Sequence, residues 1–143
     1  MVKNKKIVIL ATAFLLVTVL LLSGCTEPIR TVGWRHGSDG TAILKGAAAE
    51  NYQGYQLIEV YFVYDAESHN ETTEYEYKIE YKDLTKDEKK GQVRYFEGET
   101  IKLNPFVPYY YRAVAKYKTM DGNQEIIKFK VSEEESFSLR QVN

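Results

Sequence analysis

Apolar and polar residues alternate along most of the second half of the chain. Gln56 to Asp65 places Ile58, Val60, Phe62 and Tyr64 on one face and Leu57, Glu59, Tyr61 and Val63 on the other. Thr73 to Tyr81 sets Tyr75, Tyr77, Ile79 and Tyr81 against Glu74, Glu76, Lys78 and Glu80. A period of two over this length predicts half-buried strands, not helices. Tyr109 to Lys118 alternates in the same way, and Gln124 to Val131 follows it as a partner across Asp121-Gly122, a strong hairpin signal. Thr41 to Gly46 predicts a short early strand. Gln92 to Leu103 predicts one bent strand or two short ones, broken at Gly98. Ser136 to Val142 either extends the last strand or frays. Short alternating strands with turns at regular intervals predict an antiparallel sandwich or barrel.

The first residues follow a different pattern. Lys3, Lys5 and Lys6 precede an uncharged apolar run, Ile7 to Leu22, which ends in Leu22-Ser23-Gly24-Cys25. A charged start, an apolar stretch and a small-residue site make up an export signal. The apolar run of about 16 residues is short of the roughly 20 that span a bilayer. Leu22-Ser23-Gly24-Cys25 resembles the lipobox of prokaryotic lipoproteins. The resemblance implies cleavage between Gly24 and Cys25 and a diacylglyceryl group on the Cys25 thiol. The mature chain is then expected to be exported and held by lipid on the outer face of a cell membrane. Residues 1–24 are the expected signal, 25–38 the lipidated Cys and a short tether, and 39–143 the domain.

Cys25 is the only Cys, so no intrachain disulfide can form. Removing residues 1–24 from the 143 leaves 119, enough for one domain with a core. The remaining 16 basic and 20 acidic residues give a net charge of −4, which argues against general attraction to nucleic acid or anionic lipid. All 12 Tyr remain, a bias that favours strands.

Leu103-x-Pro105-x-x-x-Tyr109 resembles the turn into strand F of the fibronectin type III family. The resemblance implies an all-β, antiparallel Greek-key β-sandwich, immunoglobulin-like, of about seven strands. It also implies that Leu103, Pro105 and Tyr109 form a tyrosine corner, with the Tyr109 hydroxyl bonded to nearby backbone. Ala42-x-Leu44-x-Gly46 and Val60-x-Phe62-x-Tyr64 resemble strands B and C of that module. Gly46 stands where strand B usually carries a core Trp, and Trp34 is expected to fill the space.

Chemistry is sparse. His36 and His69 are far apart, and neither has a partner at ligand spacing, so no metal site and no cofactor are expected. No nucleophile elbow is present, and the chain is expected not to be an enzyme. Asn70-Glu71-Thr72 is a possible N-glycosylation site at Asn70, on a turn. The remaining candidate is a surface. If Tyr109, Tyr111, Ala113 and Ala115 point inward, then Tyr110, Arg112, Val114 and Lys116 point outward. Tyr61 and Val63 flank them on one side, and Ile126, Lys128 and Lys130 on the other. Tyr61, Val63, Tyr110, Arg112 and Val114 are the candidate binding face for a protein or glycan, since exposed apolar area with Tyr and Arg is typical interface chemistry. Cross-strand packing alone also accounts for such residues. The alternatives are a structural spacer or envelope component, or an accessory subunit of a membrane complex.

Overall fold

The computed structural model describes residues 27–80, 89–90 and 92–140. The expected lipobox and cleavage site at Gly24 and Cys25 lie outside the described residues. The strands are β1 (Ile29–His36), β2 (Ala42–Ala49), β3 (Asn51–Tyr52), β4 (Tyr55–Asp65), β5 (Tyr77–Glu80), β6 (Lys89–Lys90), β7 (Val93–Glu99), β8 (Tyr109–Asp121), β9 (Gln124–Val131) and β10 (Glu135–Phe137). One sheet runs β1-β2-β7-β6. The other runs β10-β8-β4-β3, with β5 also on β4 and β9 also on β8. Every pairing is antiparallel. The two sheets pack into a sandwich-like all-β fold.

The alternation explains the core. Ala42, Leu44 and Ala48 of β2 and Phe96 of β7 face Val60, Phe62 and Tyr64 of β4 and Tyr109, Tyr111, Ala113, Ala115 and Tyr117 of β8. Large rings sit among small residues: the Phe62 and Phe96 rings are 5.0 Å apart, beside Ala113 and Ala115. Such interleaving fills an interior at near-crystalline density.

Several expectations need correction. Residues 29–36, read as part of a tether, form β1. Trp34 and Ile29 pack on the core, so the strand is fixed by burial and by its ladder to β2. Trp34 does not fill the space over Gly46. It packs against Phe137, with ring centroids 5.1 Å apart and the planes tilted by 39°, and the ring of Phe96 occupies that space instead.

In β4 the register shifts between Leu57 and Glu59. A bulge of this kind moves the residues before it to the opposite face. Leu57 is therefore in the core, while Ile58 is exposed. The segment 73–81 is a strand only from Tyr77. A 3-10 turn, Thr72–Glu74, precedes it, so Tyr75 and Tyr77 pack against different clusters.

The faces of β9 are reversed. Asp121 pairs with Gln124 across a two-residue loop, and Gly122 takes a positive φ of 61°. That short loop fixes the register. Tyr117 then pairs with Lys128 and Ala115 with Lys130, so both lysines share the inner face. Ile127, Phe129 and Val131 lie on the outer face and are exposed.

Candidate functional site

The outer face of β4 and β8 holds all five residues of the candidate surface, but another part of the chain covers it. Val63 and Val114 are 4% and 1% exposed and form a second small core with Tyr75; Tyr61 and Tyr110 pack half-buried against it. The expectation that these side chains stand open is thus corrected: the segment from Ala66 to Glu76 folds back over them.

A polar cluster pins that segment down. Asp65, at the end of β4, accepts hydrogen bonds from the backbone N–H groups of Ala66 (2.6 Å) and Glu76 (3.2 Å). His69 Nε2 lies 2.8 Å from Asp65 Oδ2. Glu134, between β9 and β10, accepts from the Ser68 and Tyr75 hydroxyls and from the His69 N–H. Arg112 of β8 completes the cluster. It donates to the Tyr75 hydroxyl (3.0 Å), to the Ser132 carbonyl (3.1 Å) and to the His69 carbonyl (3.3 Å), and lies 3.9 Å from Glu134.

The electrostatics follow from these bonds. Burial alone raises a carboxyl pKa. At Asp65 the His69 ring and two backbone N–H groups outweigh it and hold the carboxyl below its ordinary value. At Glu134 burial is likewise outweighed, by Ser68, Tyr75, the His69 N–H and Arg112, and the carboxyl is lowered. Burial pushes the Tyr75 phenol up, and Glu134 adds to the effect.

These groups spend their hydrogen-bonding capacity on one another. The Ser68 hydroxyl donates to Glu134 and not to His69, so Ser68, His69 and Asp65 do not form a nucleophile–base relay. Arg112 is committed to the loop and is not a free anchor for a ligand. Sequence reasoning missed this cluster because its members are far apart: 65 positions separate His69 from Glu134. Only the spacing of Asp65 and His69, four residues apart on a turn, was a local signal.

The other expected residues fall as follows. Leu103 and Tyr109 are buried and Pro105 is exposed in the turn before β8. The Asn104 N–H donates to the Tyr109 hydroxyl at 3.1 Å. Asn70 is exposed on the connection from β4 to β5. His36 is exposed and packs edge-on against Trp34. Among the described residues, no group of three His, Cys, Asp or Glu is placed to hold a metal ion, and no helix is long and apolar enough to cross a membrane. A cleft of about 90 Å³ is lined by Glu50, Asn51, Gln56, Leu57 and Arg94. Small-molecule sites start at roughly 300 Å³.

An open apolar row lies on β9, apart from the singly exposed Val32, Ile101, Phe106 and Met120. Ile127, Phe129 and Val131 are 37%, 53% and 43% exposed in one row. Lys116 Nζ, bridged to Glu59 at 3.7 Å, stands 5.9 Å from the Phe129 ring centroid. Phe129 is thus an aromatic anchor with a cation beside it and β-branched residues to either side. Comparison with protein-family models, with curated proteins and with solved structures finds no match to this chain.

Proposed function

We propose that this chain is an exported, lipid-anchored module of the fibronectin type III type that binds a protein partner at a cell surface and catalyses no reaction. The export and lipid parts rest on the pattern of residues 3–25. The family reading is supported by the strand order: leaving aside the short β3, β6 and β10, the two sheets run β1-β2-β7 and β5-β4-β8-β9, as in the three-plus-four arrangement of that module. The bond from the Asn104 N–H to the Tyr109 hydroxyl agrees with a tyrosine corner.

The observation that carries the binding role is the exposed row of Ile127, Phe129 and Val131 on an edge strand. Exposed apolar edge strands are a liability that proteins normally blunt. Retaining an aromatic residue in the middle of one is what an interface requires. A partner with an apolar ridge would bury Phe129 and leave the Lys116–Glu59 pair at the rim.

The test is site-specific photocrosslinking in native membranes, from position 129 and from Ser38 at the opposite end of the domain. A single partner captured from position 129, absent from position 38 and lost with Ile127→Ser, supports the reading. Equal capture from both positions, or capture unaffected by Ile127→Ser, rejects it and favours a spacer.

A further inference from the structure

The first described strand leaves the proposed anchor at a defined place. The Pro28 carbonyl accepts from the Ala49 N–H at 2.8 Å and from the Tyr117 hydroxyl at 3.1 Å. Pro28 is therefore fixed to the end of β2 and to the inner face of β8. Cys25 lies three positions earlier in the chain, a span of at most ~11 Å when fully extended. If Cys25 carries lipid, this end of the sandwich lies within that distance of the membrane.

The side chains beside Pro28 suit such a position. The Tyr117 ring lies 6.0 Å from that of Tyr52. Lys130 Nζ stands 5.1 Å from the Tyr52 centroid, and Lys128 Nζ stands 4.8 Å from Tyr55 and 5.9 Å from Tyr52. Both lysines are on the inner side of β9, opposite the Phe129 row. Neither forms an ion pair among the described residues. Glu50 pairs with Arg94 at 2.8 Å and Glu125 with Lys118 at 3.1 Å, while Glu27, exposed beside Pro28, forms no ion pair among the described residues.

We infer that Lys128, Lys130, Tyr52 and Tyr55 form a membrane-facing patch that holds the domain against anionic lipid headgroups. The inference rests on the lipid-anchor reading proposed above. Tyr rings belong at the bilayer interface, apolar on the face and polar at the hydroxyl. Lysines near an anionic leaflet gain energy that decays within a Debye length, so a local pair matters even on a chain of net negative charge. The lipid supplies proximity and the patch supplies orientation. In that orientation the Phe129 row, on the opposite face of the same strand, is turned away from the patch and remains available.

The test uses the full-length chain purified from membranes and reconstituted into phosphatidylcholine vesicles with and without phosphatidylglycerol. Spin labels are placed at Asn51→Cys, near the patch, and at Ser38→Cys, at the far end. Mass spectrometry of the N-terminal peptide reports the Cys25 modification independently. The expected result is an acylated Cys25 and an Asn51 label shielded from aqueous relaxant in vesicles with phosphatidylglycerol. The Ser38 label stays exposed. Lys128→Gln with Lys130→Gln should reduce the shielding several-fold, and the Lys→Arg pair should restore it, with unchanged melting showing that both variants are folded. An acylated Cys25 with equal shielding in both vesicle types, or shielding indifferent to the Gln pair, overturns the patch alone. An unmodified Cys25 overturns the anchor reading and the patch with it.

Discussion

The ring of Phe96 lies over Gly46, so close that a Cβ at position 46 would stand 2.5 Å from its Cζ. The two residues are paired across β2 and β7, and the ring fills the space that a side chain on β2 would need. Gly46→Ala is expected to lower stability by about 1–3 kcal/mol through overpacking, and Phe96→Ala by about 3–5 kcal/mol through the cavity it leaves. Gly46→Ala with Phe96→Leu should recover part of the loss, since the smaller side chain makes room. Urea midpoints of these variants and of Phe96→Leu alone check this, and additive losses of Gly46→Ala and Phe96→Leu would mean that the pair does not share one space.

Tyr109 joins the turn before β8 to the strand itself. Its hydroxyl accepts the Asn104 N–H while the ring stacks near Phe137, centroids 5.8 Å apart. Tyr109→Phe keeps the stacking and removes the acceptor. The expected cost is about 1–2 kcal/mol, the usual result of depriving a part-buried N–H of its partner. A lower urea midpoint with an unchanged slope is the measurement; no change would mean that water replaces the hydroxyl.

Asp65 and Glu134 hold the covering loop, and both have pKa values below their ordinary 3.8 and 4.5. A carboxyl lowered on folding contributes stability that is present above its unfolded pKa and lost as pH falls through the folded one. The protein is therefore expected to lose stability as pH drops below about 5, a range set by those unfolded values. The loss should be shallower in Asp65→Asn and Glu134→Gln, each of which is less stable at pH 7. Thermal melts from pH 7 to pH 3 check the sign, and parallel profiles for wild type and both variants would count against it.

The sheets were legible where the alternation was unbroken and the register undisturbed. Tyr109, Tyr111, Ala113 and Ala115 face inward as read, because β8 runs thirteen residues as one strand. The face of Leu57 was lost to a bulge, and a one-residue slip inverts every side chain beyond it. The faces of β9 were misread for a related reason. The alternation reads Ile126, Lys128 and Lys130 as outward, whereas the two-residue loop at Gly122 fixes the pairing and turns Lys128 in and Phe129 out. The cover over Val63 and Val114 could not be read at all: Arg112 contacts His69 and Tyr75, 43 and 37 positions earlier, and no local pattern joins them.

Two core tyrosines predict the alkaline limit. Burial pushes the Tyr111 and Tyr117 phenols up from 10.0 to about 12. A raised folded pKa means stability that is complete below the unfolded pKa and lost as pH rises towards the folded one. Stability should therefore fall between pH 10 and pH 12. Tyr111→Phe should flatten that fall at little cost at pH 7, since its hydroxyl forms no hydrogen bond among the described residues. Tyr117→Phe should flatten it too but cost about 1–3 kcal/mol at pH 7, because its hydroxyl donates to the Ala49 carbonyl at 2.7 Å and reaches Pro28. Alkaline unfolding monitored by circular dichroism separates the two.

Phe129 separates stabilising surface from working surface. A side chain that is 53% exposed contributes modestly to folding, so Phe129→Ser should change stability by no more than about 1 kcal/mol. Tyr75, 8% exposed and itself part of the covering loop, should behave in the opposite way: Tyr75→Ser removes a ring from a packed cluster and a bond to Glu134, and should cost several kcal/mol. If β9 serves a partner, Phe129→Ser abolishes its capture in native membranes while the melting temperature holds. A variant that melts much lower would instead assign Phe129 to the fold, and the exposed row would be sheet packing. The contrast with Tyr75 makes the result readable, because loss of binding with retained stability at 129 cannot arise from unfolding.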